Sequence, residues 1–145
     1  MFDNVAKVLI ATDDSKASLR AIDIGIRFAK QYNSKVYAVY VMNVTAYDAV
    51  VMDESWSTEM CENLDKESRR ATSSIVDKAK FAGLDAEPFV LKGDAADEIL
   101  KFADNNKIDV IVVGSHGRNG LERFTLGSVS EKIVRHAQIP VLVAR

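Results

Sequence analysis

An unbroken apolar run, Val110-Ile111-Val112-Val113, ends abruptly at Gly114, and regular structure resumes near Ser128. A strand with no polar side has no face to give to water, so it belongs inside a parallel sheet covered on both faces. Such a sheet needs crossover helices between its strands. The rest of the chain has the pattern to supply them.

Val5 to Ala11 reads as the first strand. It runs into Thr12-Asp13-Asp14-Ser15, which combines a strand exit with helix-cap chemistry. The first helix is expected from about Lys16 to Tyr32, with Ile22, Ile26 and Ala29 in one stripe widened by Ala21, Gly25 and Phe28; Asn33-Ser34 breaks it. Lys35 to Met42, rich in Val and Tyr, is the second strand. Ser57 to Ala82 reads as a long helix, because Leu64, Ser68, Ala71, Ile75, Ala79 and Ala82 recur every three or four residues and Gly83 suits its stop. Asp85 to Leu91 is the third strand; Pro88 cannot donate to a ladder, which puts this strand at a sheet edge. Asp94 is placed as N-cap of a third helix, with Asp97 in its first turn and Ile99, Leu100 and Ala103 on its buried side. Asp109 to Val113 is the fourth strand and Ser128 to Ala137 the fourth helix, with Ser128 and Glu131 at capping-box spacing. Pro140 to Ala144 is the last strand. This alternation predicts a single α/β domain over residues 1–145: an open parallel five-stranded sheet, helices on both faces, right-handed crossovers.

A chain of 145 residues with a formal net charge of −2 has no large basic block, which argues against a dedicated nucleic-acid surface. One cysteine, Cys61, rules out an internal disulfide, and with two distant histidines it argues against a structural zinc site. No apolar run approaches the ~20 residues of a membrane span, and Val5 to Ala11 is too short, and too interrupted by Lys7, for a secretory segment. The expected location is the cytoplasm. The segment Asn43 to Trp56 is long for a strand-to-helix connection and carries Val44, Tyr47, Val50, Val51, Met52 and Trp56, so it folds over a ligand, a partner or the protein itself.

The stretch from Gly114 to Ser130 carries the chemistry. A buried strand feeding a glycine loop and a helix start is a phosphate-binding layout. Gly114, Gly117 and Gly127 allow positive φ and close approach to a ligand, or serve only as turn glycines. Ser128 and Ser130 add hydroxyls where the helix presents unpaired amides, while Arg118 and Arg123 add positive charge or face solvent. The spacing is neither the P-loop pattern, which needs Gly-Lys-Ser/Thr, nor G-x-G-x-x-G.

Gly114-x2-Gly117-x9-Gly127-Ser128, with Asp13 ending the first strand and a strand at Pro140–Ala144, closely resembles the nucleotide-binding signature of the universal stress protein family, over nearly all 145 residues. The resemblance implies a Rossmann-like fold of the adenine-nucleotide alpha-hydrolase type, with strand order 3-2-1-4-5. Its switch point then lies between strands 1 and 4, which end at Asp13 and Gly114. It further implies ATP with Mg²⁺ or Mn²⁺, held by Thr12, Asp13, Val41, Gly114, Ser115, Gly117, Arg118, Gly127, Ser128, Val129 and Ser130. Asp13 would stand beside the ribose or as ligand to a phosphate-bound metal, and the Val41 backbone beside adenine. From the residues alone, Asp13 as a helix cap and Val41 as plain core stay open. Many family members read Pro-Val-Asp-Gly-Ser where this chain reads Ala11-Thr12-Asp13-Asp14-Ser15, so Asp14 adds negative charge near the mouth.

No catalytic residue is expected. His116 has no evident orienting partner or nucleophile, and His136 suits the last turn of a helix, so any ATP hydrolysis would be slow. The leading reading is a nucleotide-dependent switch or stress adaptor with an unknown downstream protein partner. The apolar last strand predicts a homodimer through Pro140–Ala144, as the family resemblance also implies. Three other readings stand beside it: a dimeric interaction module without nucleotide, a phosphoacceptor receiver-like domain, and a nucleotidyl-transfer enzyme, whose S-G-G-x-D-S and H-x-G-H loops do not occur.

Overall fold

The computed structural model describes residues 4–13, 15–42, 54–115 and 126–145. Among them the order is β1 (Lys7–Thr12), α1 (Lys16–Tyr32), β2 (Lys35–Met42), α2 (Glu54–Phe81), β3 (Ala86–Lys92), α3 (Ala95–Asn105), β4 (Val110–Gly114), α4 (Ser128–His136) and β5 (Val141–Ala144). All strand pairs are parallel, in the order β3-β2-β1-β4-β5. Receiver domains run 2-1-3-4-5, so the receiver-like reading does not survive this order.

The strands alternate between two buried faces. Val8 and Ile10 of β1 and Val110 and Val112 of β4 pack under α1 and α2, with Ile22, Ile26, Ile75 and Ala79. Leu9, Ile111 and Val113 pack on the other side under α3 and α4, with Ile99, Ala103 and Ile133. This is why β1 and β4 read as continuous apolar runs rather than alternating ones. α1 crosses β1 and β4 closely at Gly25, where an added Cβ would stand 2.9 Å from Ile10 Cδ1 and 3.2 Å from Val112 Cγ1.

The expected stops and caps are largely in place. Asn33 closes α1 in the left-handed region, at φ 53°. Gly83 follows α2 at φ 82°. Asp94 caps α3 by accepting the Asp97 amide at 3.0 Å. β3, with Pro88, lies at the sheet edge.

Some boundaries move. β1 begins at Lys7, but the chain is already docked ahead of it: the amides of Ala6 and Lys7 both donate to Asp109 Oδ2, at 3.0 and 2.9 Å, and Val5 is buried. α2 begins at Glu54, three residues before the expected Ser57. The capping box expected at Ser128 and Glu131 is not formed. Gly127 is the N-cap, Ser128 is the first helical residue, and the Glu131 amide donates to the Gly127 carbonyl at 2.9 Å. Most of the Asn43–Trp56 segment (43–53), and the side chains of Cys61 and Leu64, lie outside what is described.

Candidate functional site

The site is built where the sheet order reverses. β1 and β4 pair in register from Val8 with Val110 to Ile10 with Val112, and continuing that register brings Thr12 level with Gly114. The ends of these strands and the starts of α1 and α4 therefore share one crevice.

On the β1 side, Thr12 is buried and Asp13 half-buried. Ser15 caps α1, its Oγ accepting the Ser18 amide at 3.2 Å. Asp13 is thus not the cap. Its Oδ1 accepts the Ser15 amide at 3.0 Å, an Asx turn, and also the Ser18 hydroxyl. The Ser18 oxygen in return accepts the Asp13 amide at 3.0 Å. The Ser15 amide and the Ser18 hydroxyl therefore set the direction of the carboxylate before any ligand arrives. Ser18 escaped the sequence reading. Only its three-residue spacing from Ser15 hinted at a part.

On the β4 side, Ser115 is buried. Its amide donates to the Ala144 carbonyl at 2.8 Å and its carbonyl accepts the Gly127 amide at 2.7 Å. Ser130 is also buried, and its hydroxyl donates to the Gly114 carbonyl. These bonds tie the start of α4 to the end of β4. Gly114 and Gly127 are half-buried, and Ser128 and Val129 are exposed. Neither Gly114 nor Gly127 takes a positive φ; Gly127 is extended at φ −64°, ψ 159°. The freedom for positive φ that these two glycines allow is not used: the strand's hydrogen bonding holds Gly114, and Gly127 has the ordinary extended geometry of an N-cap. Having no side chain, Gly127 leaves α4 without a side-chain cap. Gly117 and Arg118, together with His116, Arg123 and Asp14, lie outside the described residues.

On the β2 side, Val41 is half-buried opposite Leu91 and packs toward α3. The next residue, Met42, accepts the Gly93 amide at 3.0 Å, which joins the end of β2 to the α3 start. Lys132 of α4 then bridges to α3, with Nζ 2.9 Å from Asp97 Oδ1 and 3.3 Å from Asp94 Oδ2. The Asp97 amide, and after it Lys132, hold the Asp94 carboxyl below its ordinary range, while Asp97 and then Asp94 raise the Lys132 ammonium.

Among the described residues no group of three His, Cys, Asp or Glu side chains gathers to hold a metal. Among the described residues Asp13 brings a carboxylate to the crevice, and Mg²⁺ on nucleotide phosphates takes one or two protein carboxylates beside its waters. No helix among the described residues is long and apolar enough to cross a membrane.

The chain has relatives of known family and fold. A universal stress protein of Methanocaldococcus jannaschii, MJ0531, is 37% identical over 139 residues, covering 96% of this chain and 81% of that protein. The solved structure of MJ0577, from the same organism, superposes with a TM-score of 0.82 at 26% identity, covering 97% of this chain and 95% of that one. A universal stress protein in complex with cAMP superposes with a TM-score of 0.67 at 26% identity, covering 97% and 96%. The Universal stress protein family profile matches residues 4–145, so it spans both the Asp13 turn and the unsealed α4 start, and the chain belongs to that family.

Proposed function

We propose that the chain binds ATP at the crevice between β1 and β4, with Mg²⁺ or Mn²⁺, and acts as a nucleotide-dependent stress adaptor in the cytoplasm. The observation that carries the reading is the start of α4. The Gly127 amide is spent on Ser115, no side chain caps the helix, and the amides of Ser128, Val129 and Ser130 precede its first internal hydrogen bond. An uncapped helix N-terminus held beside a strand end favours phosphate. The similar protein bound to cAMP supports an adenine nucleotide as the ligand class.

In this reading Ser130 positions rather than grips, because its hydroxyl holds the Gly114 carbonyl, and the Ser115 backbone ties the end of β4 to β5 and to the α4 start. Asp13, fixed by Ser15 and Ser18, faces ribose hydroxyls or a metal on the phosphates. Thr12 and the Val41 backbone border the nucleoside, and Gly117 and Arg118 complete the phosphate loop. No base or transition-state clamp is assigned, so hydrolysis is slow at most.

β5 supports the homodimer. The carbonyls of Pro140 and Ala144 accept from β4, which turns the backbone of Val141 and Val143 outward along the sheet edge. Such an edge pairs with another strand unless protected.

Denaturing the purified protein and identifying released small molecules by mass spectrometry, beside ATP titration with and without Mg²⁺, tests the reading. Bound ATP, or micromolar affinity, supports it. No nucleotide and no affinity favours the module that acts by dimerisation alone.

A further inference from the structure

A second concave site lies at the opposite end of the sheet. A cavity of about 300 Å³ opens between the C-terminal ends of α3 and α4 and the starts of β4 and β5. Its floor is aliphatic: Leu100, Ile108, Ile111 and Ile139. Ile108 and Ile111 are buried, and Leu100 and Ile139 keep part of their surface open. A volume at the low end of ligand pockets suits a molecule of amino-acid size.

The mouth carries both signs of charge. Asp104, Lys107 and His136 line it and are exposed. Asp104 and Lys107 are three residues apart, yet their side chains form no ion pair with each other or with any other described residue. The turn explains this: the Lys107 amide closes on the Asp104 carbonyl at 3.3 Å, and Lys107 takes φ 54°, which ends the helical path that would stack the two side chains. α4 ends at His136 on the same rim, adding the negative end of its dipole.

We propose that this cavity binds a small zwitterion with an aliphatic body, an apolar α-amino acid. The body fills the floor, the carboxylate meets Lys107 and His136, and the ammonium meets Asp104 and the α4 terminus. A purely anionic or cationic amphiphile leaves one of the opposed charges unanswered. The site shares no residue with the nucleotide crevice and does not rest on that reading.

Methyl NMR on the full chain tests this, following Leu100, Ile108, Ile111 and Ile139 during titration with L-leucine, 4-methylpentanoate and 3-methylbutylamine. The expected result is saturable shifts at these methyls with leucine, and affinity about fivefold weaker for each half-analogue. Asp104→Asn and Lys107→Asn should each weaken leucine by roughly two- to fivefold. Both residues are exposed, and Asn tolerates the left-handed backbone at Lys107. No saturable shift with leucine, or equal binding of the acid or the amine, overturns the proposal.

Discussion

The Gly127 amide donates to the Ser115 carbonyl at 2.7 Å, so the residue that caps α4 is held by the end of β4 and has no side chain of its own to seal the helix. This arrangement gives stability and ligand binding opposite interests. Replacing Gly127 with Asp supplies an acceptor for the Ser130 amide and a charge suited to the dipole. At φ −64°, ψ 159° the backbone accepts it without strain. Gly127→Asp should raise stability by a few tenths to about 1 kcal/mol and remove ATP binding. Thermal melts and ATP titration together check this, and retained affinity would sink the phosphate reading. Gly127→Val should also lose ATP binding while staying folded.

Ser130 is buried with its hydroxyl on the Gly114 carbonyl. Ser130→Ala leaves that carbonyl without this donor and should cost about 1–2 kcal/mol. Urea unfolding measures it, and an unchanged midpoint would mean the bond contributes nothing.

Gly25 is where α1 lies closest to the sheet. A methyl there meets Ile10 Cδ1 at 2.9 Å and Cγ1 at 3.0 Å, and Ile10 is fully buried. Overpacking costs about 1–3 kcal/mol, against about 1 kcal/mol regained in helix propensity. Gly25→Ala should therefore be net destabilising, and Ile10→Val in the same chain should recover part of the loss. A double-mutant cycle reads the coupling; strict additivity would show that α1 simply shifts.

Asp94 links the α3 cap to Lys132. Its native carboxyl lies below the ordinary value of 3.8. The sign follows from linkage: the contribution is complete above the unfolded value and is lost as pH falls through the lower native one. Asp94→Asn keeps a capping oxygen but removes the charge. The stability gap between the parent and this variant should be largest near neutral pH and close as pH falls below about 4. A gap that widens in acid would refute the assignment.

At the sheet edge, Val143 directs its backbone away from β4. Val143→Pro removes an outward donor and leaves the β4–β5 bonds in place. Sedimentation should give a dimer for the parent chain and a monomer for the variant. A monomeric parent at tens of micromolar would end the edge-pairing proposal.

Element identity was legible because it rests on local signals. Period-3.6 stripes marked α1 and α3, continuous apolar runs marked β1 and β4, and Asn33, Gly83 and Asp94 marked ends whose chemistry is intrinsic to those residues. The crevice was legible in outline because the strand-end acid and the glycine–serine step sit at fixed points along the chain. The error at the α4 cap came where a local signal met a contact from another part of the chain. Ser128 and Glu131 have capping-box spacing, but the bond from Gly127 to Ser115 starts the helix one residue earlier.

Sequence by itself determined the five strands and their alternation with helices, because side-chain period and backbone preference act over a few residues. The tertiary structure decided what depends on segments far apart in the chain. Ser130 is committed to Gly114, the Gly127 amide is held by Ser115, and Lys132 ties α4 to the α3 cap. It also decided that Asp104 and Lys107 share a mouth with His136. Hydrogen bonds and ion pairs act over a few ångströms, and only folding brings those partners within reach.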